Sequence, residues 1–171
     1  MHDINPSGTE AQISFQLTGV EWWNHIPACA GWYRIMTDAP FSELSTLPIP
    51  PKGSKHYNIP ARISDAARAL SIHMIIEPSK PGELYTVYSG EHQNLKCRAR
   101  EHFCGHEGTA CLALSQYSTV IDGRFRWVFA YTPFCEGMSG SGLAEEDDKV
   151  LRVIIEQQWR AARGWPVLCR A

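Results

Sequence analysis

Several short segments of the chain have the alternating apolar and polar positions that are typical of half-buried strands. The clearest lies in RFRWVFAYT, where alternation places Phe125, Trp127 and Phe129 on one face. Others combine alternation with β-branched or aromatic residues. The predicted strands are 12–17, 32–36, 72–76, 84–89 and 124–132.

Other segments have the features of helices. The longest covers 144–163, where acidic first turns complement the helix N-terminus. Its predicted core stripe is Leu151, Ile155, Trp159 and Ala162. The remaining predictions are a helical turn within 20–25, a helix over 64–70 with Ser64 as its N-cap, a helix over 94–103, and a buried helix over 109–117.

About three core strands with several helices, not in regular alternation, predict an α+β fold. We expect a small, three-stranded, mainly antiparallel sheet flanked by helices. Prolines interrupt residues 37–83 repeatedly, and this segment is too short to bury much core of its own. We therefore interpret 1–171 as a single domain with a proline-rich insertion at 37–83, between the first two core strands.

The composition limits the possible function. The chain has 171 residues, 44% hydrophobic, and no apolar run near the length of a membrane helix. Its N-terminus has no signal-peptide pattern, which favours the cytoplasm and makes the six cysteines thiols. The net charge of −2 counts mildly against nucleic acid, but basic residues cluster at 96–100 and 152–170 and could bind phosphate. A solvated mixed surface is the alternative.

Arg98 and His102 are four residues apart on the predicted 94–103 helix, so they project from the same side. A guanidinium beside an imidazole suits a phosphate better than a core. Glu156 lies in the longest helix, between Arg152 and Arg160. Glu156 is either a surface carboxylate paired along the helix or a ligand for Mg²⁺, which often uses only one or two carboxylates.

Cysteines and histidines also crowd the middle of the chain. A zinc site there is conceivable, but the spacing contains no clean CxxC pair, and thiols on a helix also pack well as small hydrophobes. The candidate residues are Cys97, His102, Cys104, His106 and Cys111.

Taken together, these stretches resemble the GIY-YIG nuclease family. Gly31-Trp32-Tyr33 resembles its first motif and Tyr88-Ser89-Gly90 its second. The following QNLKCRAREH resembles the family's arginine helix, with Arg98 and then His102. Glu156 in VIIEQQW resembles the family's metal-binding glutamate.

The chain departs from the family pattern in three places. Its two tyrosine motifs are 59 positions apart instead of close together, which requires the insertion between them. Glu91 and His92 follow the second motif where repair-type members have a lysine. Cys169 stands near the position of a phosphate-contacting asparagine.

The resemblance implies a division of roles. Mg²⁺, or another divalent cation such as Mn²⁺, would be held by Glu156 and neutralise developing charge. Arg98 would stabilise the pentavalent transition state. Tyr33 would take a proton from the attacking water with help from His102, and Tyr88 would hydrogen-bond the phosphate. All five side chains should then converge, and a Glu156 that points away from Arg98 would contradict this form of the hypothesis.

The resulting prediction is a Mg²⁺-dependent endonuclease that cuts DNA, most similar to a type II restriction enzyme. Cutting both strands with one site per chain favours a homodimer or homotetramer. The alternatives are a structure-specific repair or mobile-element nuclease, a non-catalytic nucleic-acid or protein-binding module that retains the fold, and a zinc-stabilised domain.

Overall fold

The computed structural model describes residues 10–14, 21–70, 74–134 and 145–170. Its centre is one antiparallel sheet of four strands in the order β1-β4-β2-β3. The fold is α+β as expected, but the predicted number of three strands was wrong. The strands are β1 (Ala11–Ser14), β2 (Gly31–Thr37), β3 (Tyr85–His92) and β4 (Trp127–Pro133).

The fourth strand is β1, which belongs to the predicted 12–17 strand. It pairs with the outer side of β4, with Ile13 opposite Phe129. Residues 15–17 lie outside the described residues. The alternating pattern correctly predicts a strand here, but such a pattern does not reveal which strand it pairs with.

The strands β2 and β3 are neighbours although residues 38–84 separate them along the chain. Tyr33 lies opposite Gly90, and the register shifts between Ile35 and Met36. The strand β3 runs on to His92, beyond the predicted end at Ser89. Long connections are tolerated because the entropy of closing a loop grows slowly with its length.

Two helices cover opposite faces of the sheet. On one face, α3 (Leu95–Cys104) begins at the N-cap Asn94, whose side chain accepts from the Cys97 N–H at 2.9 Å. On that face the buried Trp22 lies against Phe103 of α3 and Phe129 of β4, with ring centroids 5.7 and 6.3 Å apart. Trp22 belongs to a short 3₁₀ turn, Trp22–His25, which confirms the predicted helical turn.

On the other face lies α5 (Glu145–Arg163), which confirms the long predicted helix from 145 onward. Its predicted core stripe is only partly right. Ile155 and Trp159 are half-buried, but Leu151 is 38% exposed and Ala162 is exposed. Arg152 is only 5% exposed and pairs with Glu91 of β3 at 2.9 Å. A charged residue thus occupies a buried position that the prediction gave to an apolar one.

The predicted helix over 109–117 does not form. Residues 110–113 form no regular structure, Ala113 has a φ of +52°, and the chain continues through a 3₁₀ turn, Leu114–Gln116, into the short α4 (Ser118–Ile121). The expected burial is correct, since Cys111 to Leu114 are fully buried. The backbone here binds buried side chains of α3, described below, so these groups are not available for a helix.

The 37–83 segment contains two helices, α1 (Phe41–Leu44) and α2 (Ile59–Ala69). The predicted start of α2 at Ser64 was wrong because Pro60 occupies the first turn, where proline needs no N–H partner. Asn58 is the true N-cap and accepts from the Ala61 N–H at 3.0 Å. Of the predicted 72–76 strand, 74–76 form only a bridge from Ile75 to Trp165, and 72–73 are not described.

The C-terminal residues run along the free edge of β3. The Leu168 N–H donates to the carbonyl of Val87 at 2.9 Å, and the Cys169 Sγ accepts from the Ser89 N–H at 3.3 Å. This segment therefore covers backbone groups that an edge strand would otherwise expose. No helix among the described residues is long and apolar enough to cross a membrane.

The position of the α2 cap gives a stability prediction. Asn58→Ala removes the only side-chain cap of this helix and should lower the free energy of unfolding by about 1 kcal/mol. Ser64→Ala, at the sequence-predicted cap, should change it by less than about 0.5 kcal/mol because Ser64 is exposed. Urea unfolding measures both variants, and equal losses would contradict the assigned cap.

Candidate active site

A buried hydrogen-bond network joins β2 to α3 at Tyr33. The Arg98 Nε donates to the Tyr33 hydroxyl oxygen at 3.0 Å, and the His102 Nε2 lies 2.9 Å from the same oxygen. Arg98 and His102 reach it together because they are one turn apart on α3. All three side chains are buried, and His102 is completely so.

The protonation of His102 follows from its second contact. The Leu112 N–H, which can only donate, points at the His102 Nδ1 at 3.3 Å. In a neutral ring the proton is then on Nε2, which donates to Tyr33. The Tyr33 oxygen therefore accepts two N–H groups, and its own proton is directed away from both.

Burial shifts the acidity of these groups in opposite directions. It raises the pKa of Tyr33, against the opposing effect of the neighbouring Arg98 charge. Burial and the Arg98 charge together hold the pKa of His102 well below its ordinary value, so the ring is neutral. Arg98 thus keeps the imidazole in the state that donates to Tyr33.

Arg98 uses all three guanidinium nitrogens. Besides Tyr33, it pairs with Glu101 through Nη1 at 2.8 Å and donates to the Ala110 carbonyl through Nη2 at 3.0 Å. Together with the Leu112 bond to His102, this explains why 110–113 is not helical. Two of the five guanidinium N–H groups have no protein partner among these bonds.

Tyr88 joins this cluster from β3. Its ring centroid lies 4.9 Å from that of His102 and 6.1 Å from that of Tyr33. Its hydroxyl is 3.3 Å from the hydroxyl of Tyr57, a residue of the 37–83 segment. Sequence reasoning missed Tyr57, because no motif surrounds it and its position depends on how the long connection folds back.

Gly90 provides the space that Tyr33 occupies. A Cβ atom at Gly90 would lie 2.6 Å from the Tyr33 hydroxyl oxygen and 2.8 Å from its Cζ. Both distances are shorter than van der Waals contact. The glycine of the YSG motif therefore has a physical reason in the packing of the tyrosine on the neighbouring strand.

Glu156 lies on the other face of the sheet. Its Oε1 accepts from the Ser89 hydroxyl at 3.1 Å and pairs with Arg160. Successive residues of a strand point to opposite faces, so Ser89 faces away from Tyr88 and Gly90. The structure thus brings Tyr33, Tyr88, Arg98 and His102 together, but holds Glu156 on the α5 side.

Glu156 still influences the cluster electrically. Its negative charge makes a small contribution to raising the pKa of Tyr33. Burial raises the pKa of Glu156 itself, Arg160 and Ser89 lower it, and the nearby Glu91 raises it further. The described bonds to Glu156 all reach Oε1, which leaves Oε2 as a hard oxygen donor suited to Mg²⁺.

Cys169 completes the group around Ser89. Its Sγ lies 3.2 Å from the Arg160 Nη2, and Arg160 also donates to the Ser89 hydroxyl and carbonyl at 3.0 and 3.1 Å. Burial raises the pKa of the Cys169 thiol. A neutral thiol in this place is a poor substitute for the two-sided hydrogen bonding of an asparagine amide.

The predicted zinc cluster is not assembled in the described part of the chain. No group of three or more histidine, cysteine, aspartate or glutamate side chains there is placed to hold a metal ion. Cys97 and Cys104 are exposed, whereas His102 and Cys111 are buried. A cation at Glu156 would thus depend on one protein carboxylate with water ligands.

Comparisons of this chain with protein-family models, with curated proteins and with solved structures found no match. The residue network itself is therefore the evidence on function.

The close packing at Gly90 is testable. Gly90→Ala should displace Tyr33 and lower the free energy of unfolding by roughly 1–3 kcal/mol, the usual cost of overpacking. If the clash acts through the tyrosine hydroxyl and ring, Gly90→Ala combined with Tyr33→Phe should cost less than the two single losses added. Strictly additive losses in chemical unfolding would contradict the assigned contact.

The buried His102 predicts a pH dependence. Its pKa is lowered on folding, so below about pH 6.5 the unfolded chain binds a proton that the folded chain does not. Stability should fall as the pH drops through this range, by up to about 1.4 kcal/mol per pH unit from His102 alone. In the His102→Gln variant, the part of the pH dependence of stability that comes from His102 should be absent. Parallel curves for the two proteins between pH 7.5 and 5.5 would contradict it.

Proposed function

We propose that this protein is a Mg²⁺- or Mn²⁺-dependent endonuclease of the GIY-YIG kind that hydrolyses DNA phosphodiester bonds. The observation that carries the proposal is the Tyr33 oxygen, which accepts N–H groups from Arg98 and His102. The four clustered residues come from β2 and, far along the chain, from the consecutive β3 and α3, and all four match positions of the motifs that resemble the family.

The two donors give Tyr33 a chemical role. N–H bonds to a phenolic oxygen stabilise its charged form, and they fix the direction in which its proton leaves. In the proposed reaction Tyr33 takes the proton of the attacking water. Before this step Tyr33 gives its own proton to solvent. Arg98 and His102 stabilise the phenolate so formed, which becomes the neutral phenol when it takes the proton of the water. Tyr88 orients the phosphate from β3. A divalent cation, when bound, supplies neutralisation of charge on the phosphate oxygens.

The proposal differs from the sequence expectation in the position of Glu156. The expectation that Glu156 shares one pocket with Arg98 fails in that form, since the sheet lies between their contacts. Glu156 remains the proposed cation ligand because its Oε2 accepts none of the described hydrogen bonds. The proposal requires a cation held there to reach the phosphate at Tyr33 from the α5 side of β3. Within the proposal, Tyr33 is the residue on which activity depends most directly.

A non-catalytic module that binds nucleic acid is the second candidate. The pairing of Glu156 with Arg160 favours it, because a neutralised carboxylate attracts a cation weakly. Such a module would retain the cluster as a structural feature and bind phosphates through its remaining donors.

Two kinds of nuclease within this proposal differ in the oligomeric state that they require. A chain with one site that makes double-strand breaks acts as a homodimer or homotetramer, which is the expectation for a restriction-like enzyme. A structure-specific repair or mobile-element nuclease nicks one strand and has no such requirement.

Plasmid cleavage tests these proposals. With Mg²⁺, the wild-type protein should convert supercoiled plasmid to nicked circles or discrete fragments, and chelator should prevent this. Tyr33→Phe removes the proposed base and should lower the rate roughly 100-fold or more. Glu156→Gln and Arg98→Ala should also lose cleavage, whereas Glu107→Gln, at an exposed carboxylate, should cleave normally.

The outcomes separate the candidates. Full activity of a folded Tyr33→Phe protein would overturn the proposed role of the cluster. Full activity of Glu156→Gln would remove that residue as cation ligand. DNA binding by the wild type without cleavage in Mg²⁺ or Mn²⁺ would favour the binding module.

A further inference from the structure

We infer that Arg62, held in place by Tyr57, is a DNA-backbone contact that the 37–83 segment adds to the site. This inference rests on the proposed function, because it assumes a phosphodiester substrate. It assigns a binding role to a helix that the motif residues do not include.

Tyr57 is joined to the motif residues on two sides. Its hydroxyl lies 3.3 Å from that of Tyr88, and the two ring centroids are 5.8 Å apart. Its backbone N–H donates to the carbonyl of Cys111 at 2.8 Å, next to the segment that binds Arg98 and His102. Its hydroxyl therefore lies directly beside Tyr88.

Arg62 lies on the face of the Tyr57 ring. Its guanidinium carbon is 3.6 Å from the ring centroid, a close cation–π contact. Its Nη1 donates to the Leu168 carbonyl at 2.6 Å. Arg62 is half-buried, and this is the only hydrogen bond of its side chain within the described residues, so further N–H donors of the guanidinium are available on the face of the Tyr57 ring.

Two arginines at the motifs, Arg98 and Arg160, are more fully occupied than Arg62. Arg98 is buried and bonded through all three nitrogens. Arg160 is committed to Glu156, Ser89 and Cys169. Of these three guanidinium groups, Arg62 has the fewest protein partners. It therefore has the most N–H donors left to bind a phosphate.

The position of Arg62 on α2 is unfavourable for a purely structural role. It lies just after the first turn, where the helix dipole disfavours a cation, and no acidic residue occupies that turn. The N-terminal end of α2 and the Arg62 guanidinium both contribute positive electrostatic potential. An anion beside Tyr88 and Arg62 would be stabilised by both.

The competing explanation is that Arg62 only fastens α2 to the C-terminal segment through Leu168. Both explanations predict some loss of stability in Arg62→Gln. They differ in the salt dependence of DNA binding, since a phosphate contact releases counterions and a structural bond does not.

The test measures binding of a fluorescent mixed-sequence 30-base-pair duplex of DNA by anisotropy, in Ca²⁺, across a salt series. Arg62→Gln should weaken binding about tenfold and make the slope of log affinity against log salt shallower by about 0.9, the value for one phosphate contact. Arg62→Lys should keep the slope. Tyr57→Phe keeps the stacked ring and should also keep the slope.

Arg68→Gln is the matched control, because Arg68 is an exposed arginine on the same helix, paired with Asp65. It should leave affinity and slope unchanged. Circular dichroism checks the folding of every variant. If Arg62→Gln does not fold, Arg62→Lys is the test, because the affinity of Arg62→Lys should fall while the slope stays unchanged.

A folded Arg62→Gln protein with the slope of Arg68→Gln would overturn the inference while leaving the nuclease proposal intact. An unchanged affinity of Arg62→Lys would do the same where only that variant folds. A wild-type protein that neither binds nor cleaves the duplex or the plasmid would overturn the proposed function, and the inference with it.

Discussion

Burying the guanidinium of Arg98 is the constraint on which the rest of the site depends. A buried charge is stable only when its donors find partners, and those partners come from β2, from α3 itself and from the backbone at Ala110. The 110–113 segment presents the Ala110 carbonyl and the Leu112 N–H to these side chains and forms no helix. The same requirement places the Tyr33 hydroxyl, because it receives the third donor. One buried charge thus fixes a strand, a helix and a loop relative to one another.

The sheet divides the candidate residues into two groups with different electrostatics. On the α3 face, the positive charge of Arg98 is bonded to a phenol and opposes protonation of His102. On the α5 face, each carboxylate has its own arginine, Glu91 with Arg152 and Glu156 with Arg160. Charge on the second face is therefore largely balanced within the protein. An anionic group of a substrate would therefore change the charge balance most on the α3 face.

The sequence predicted what depends on local patterns and missed what depends on buried polar groups. The arginine helix and the long α5 follow from residues within a few positions of one another, and the spacing of Arg98 and His102 already placed both on one side. The predicted 109–117 helix does not form because its backbone binds Arg98 and His102 across space. The α5 stripe was wrong at Leu151 because Arg152 takes the buried position and pairs with Glu91. The position of Glu156 relative to Arg98 depends on which face α5 covers, and no local pattern encodes that.

The contacts around Cys169 suggest whether Glu156 or Arg160 would move if a cation bound at Glu156. Arg160 contacts the Ser89 hydroxyl and carbonyl, the Cys169 sulfur and the ring of Trp165, whose centroid is 5.0 Å from its guanidinium carbon. Glu156 has only Arg160 and Ser89. A cation on the free Oε2 would draw the carboxylate toward itself, and Arg160 would keep most of its contacts if Glu156 then moved away from it. Binding of a cation would thus move the carboxylate and leave the arginine in place, beside β3 and next to Cys169.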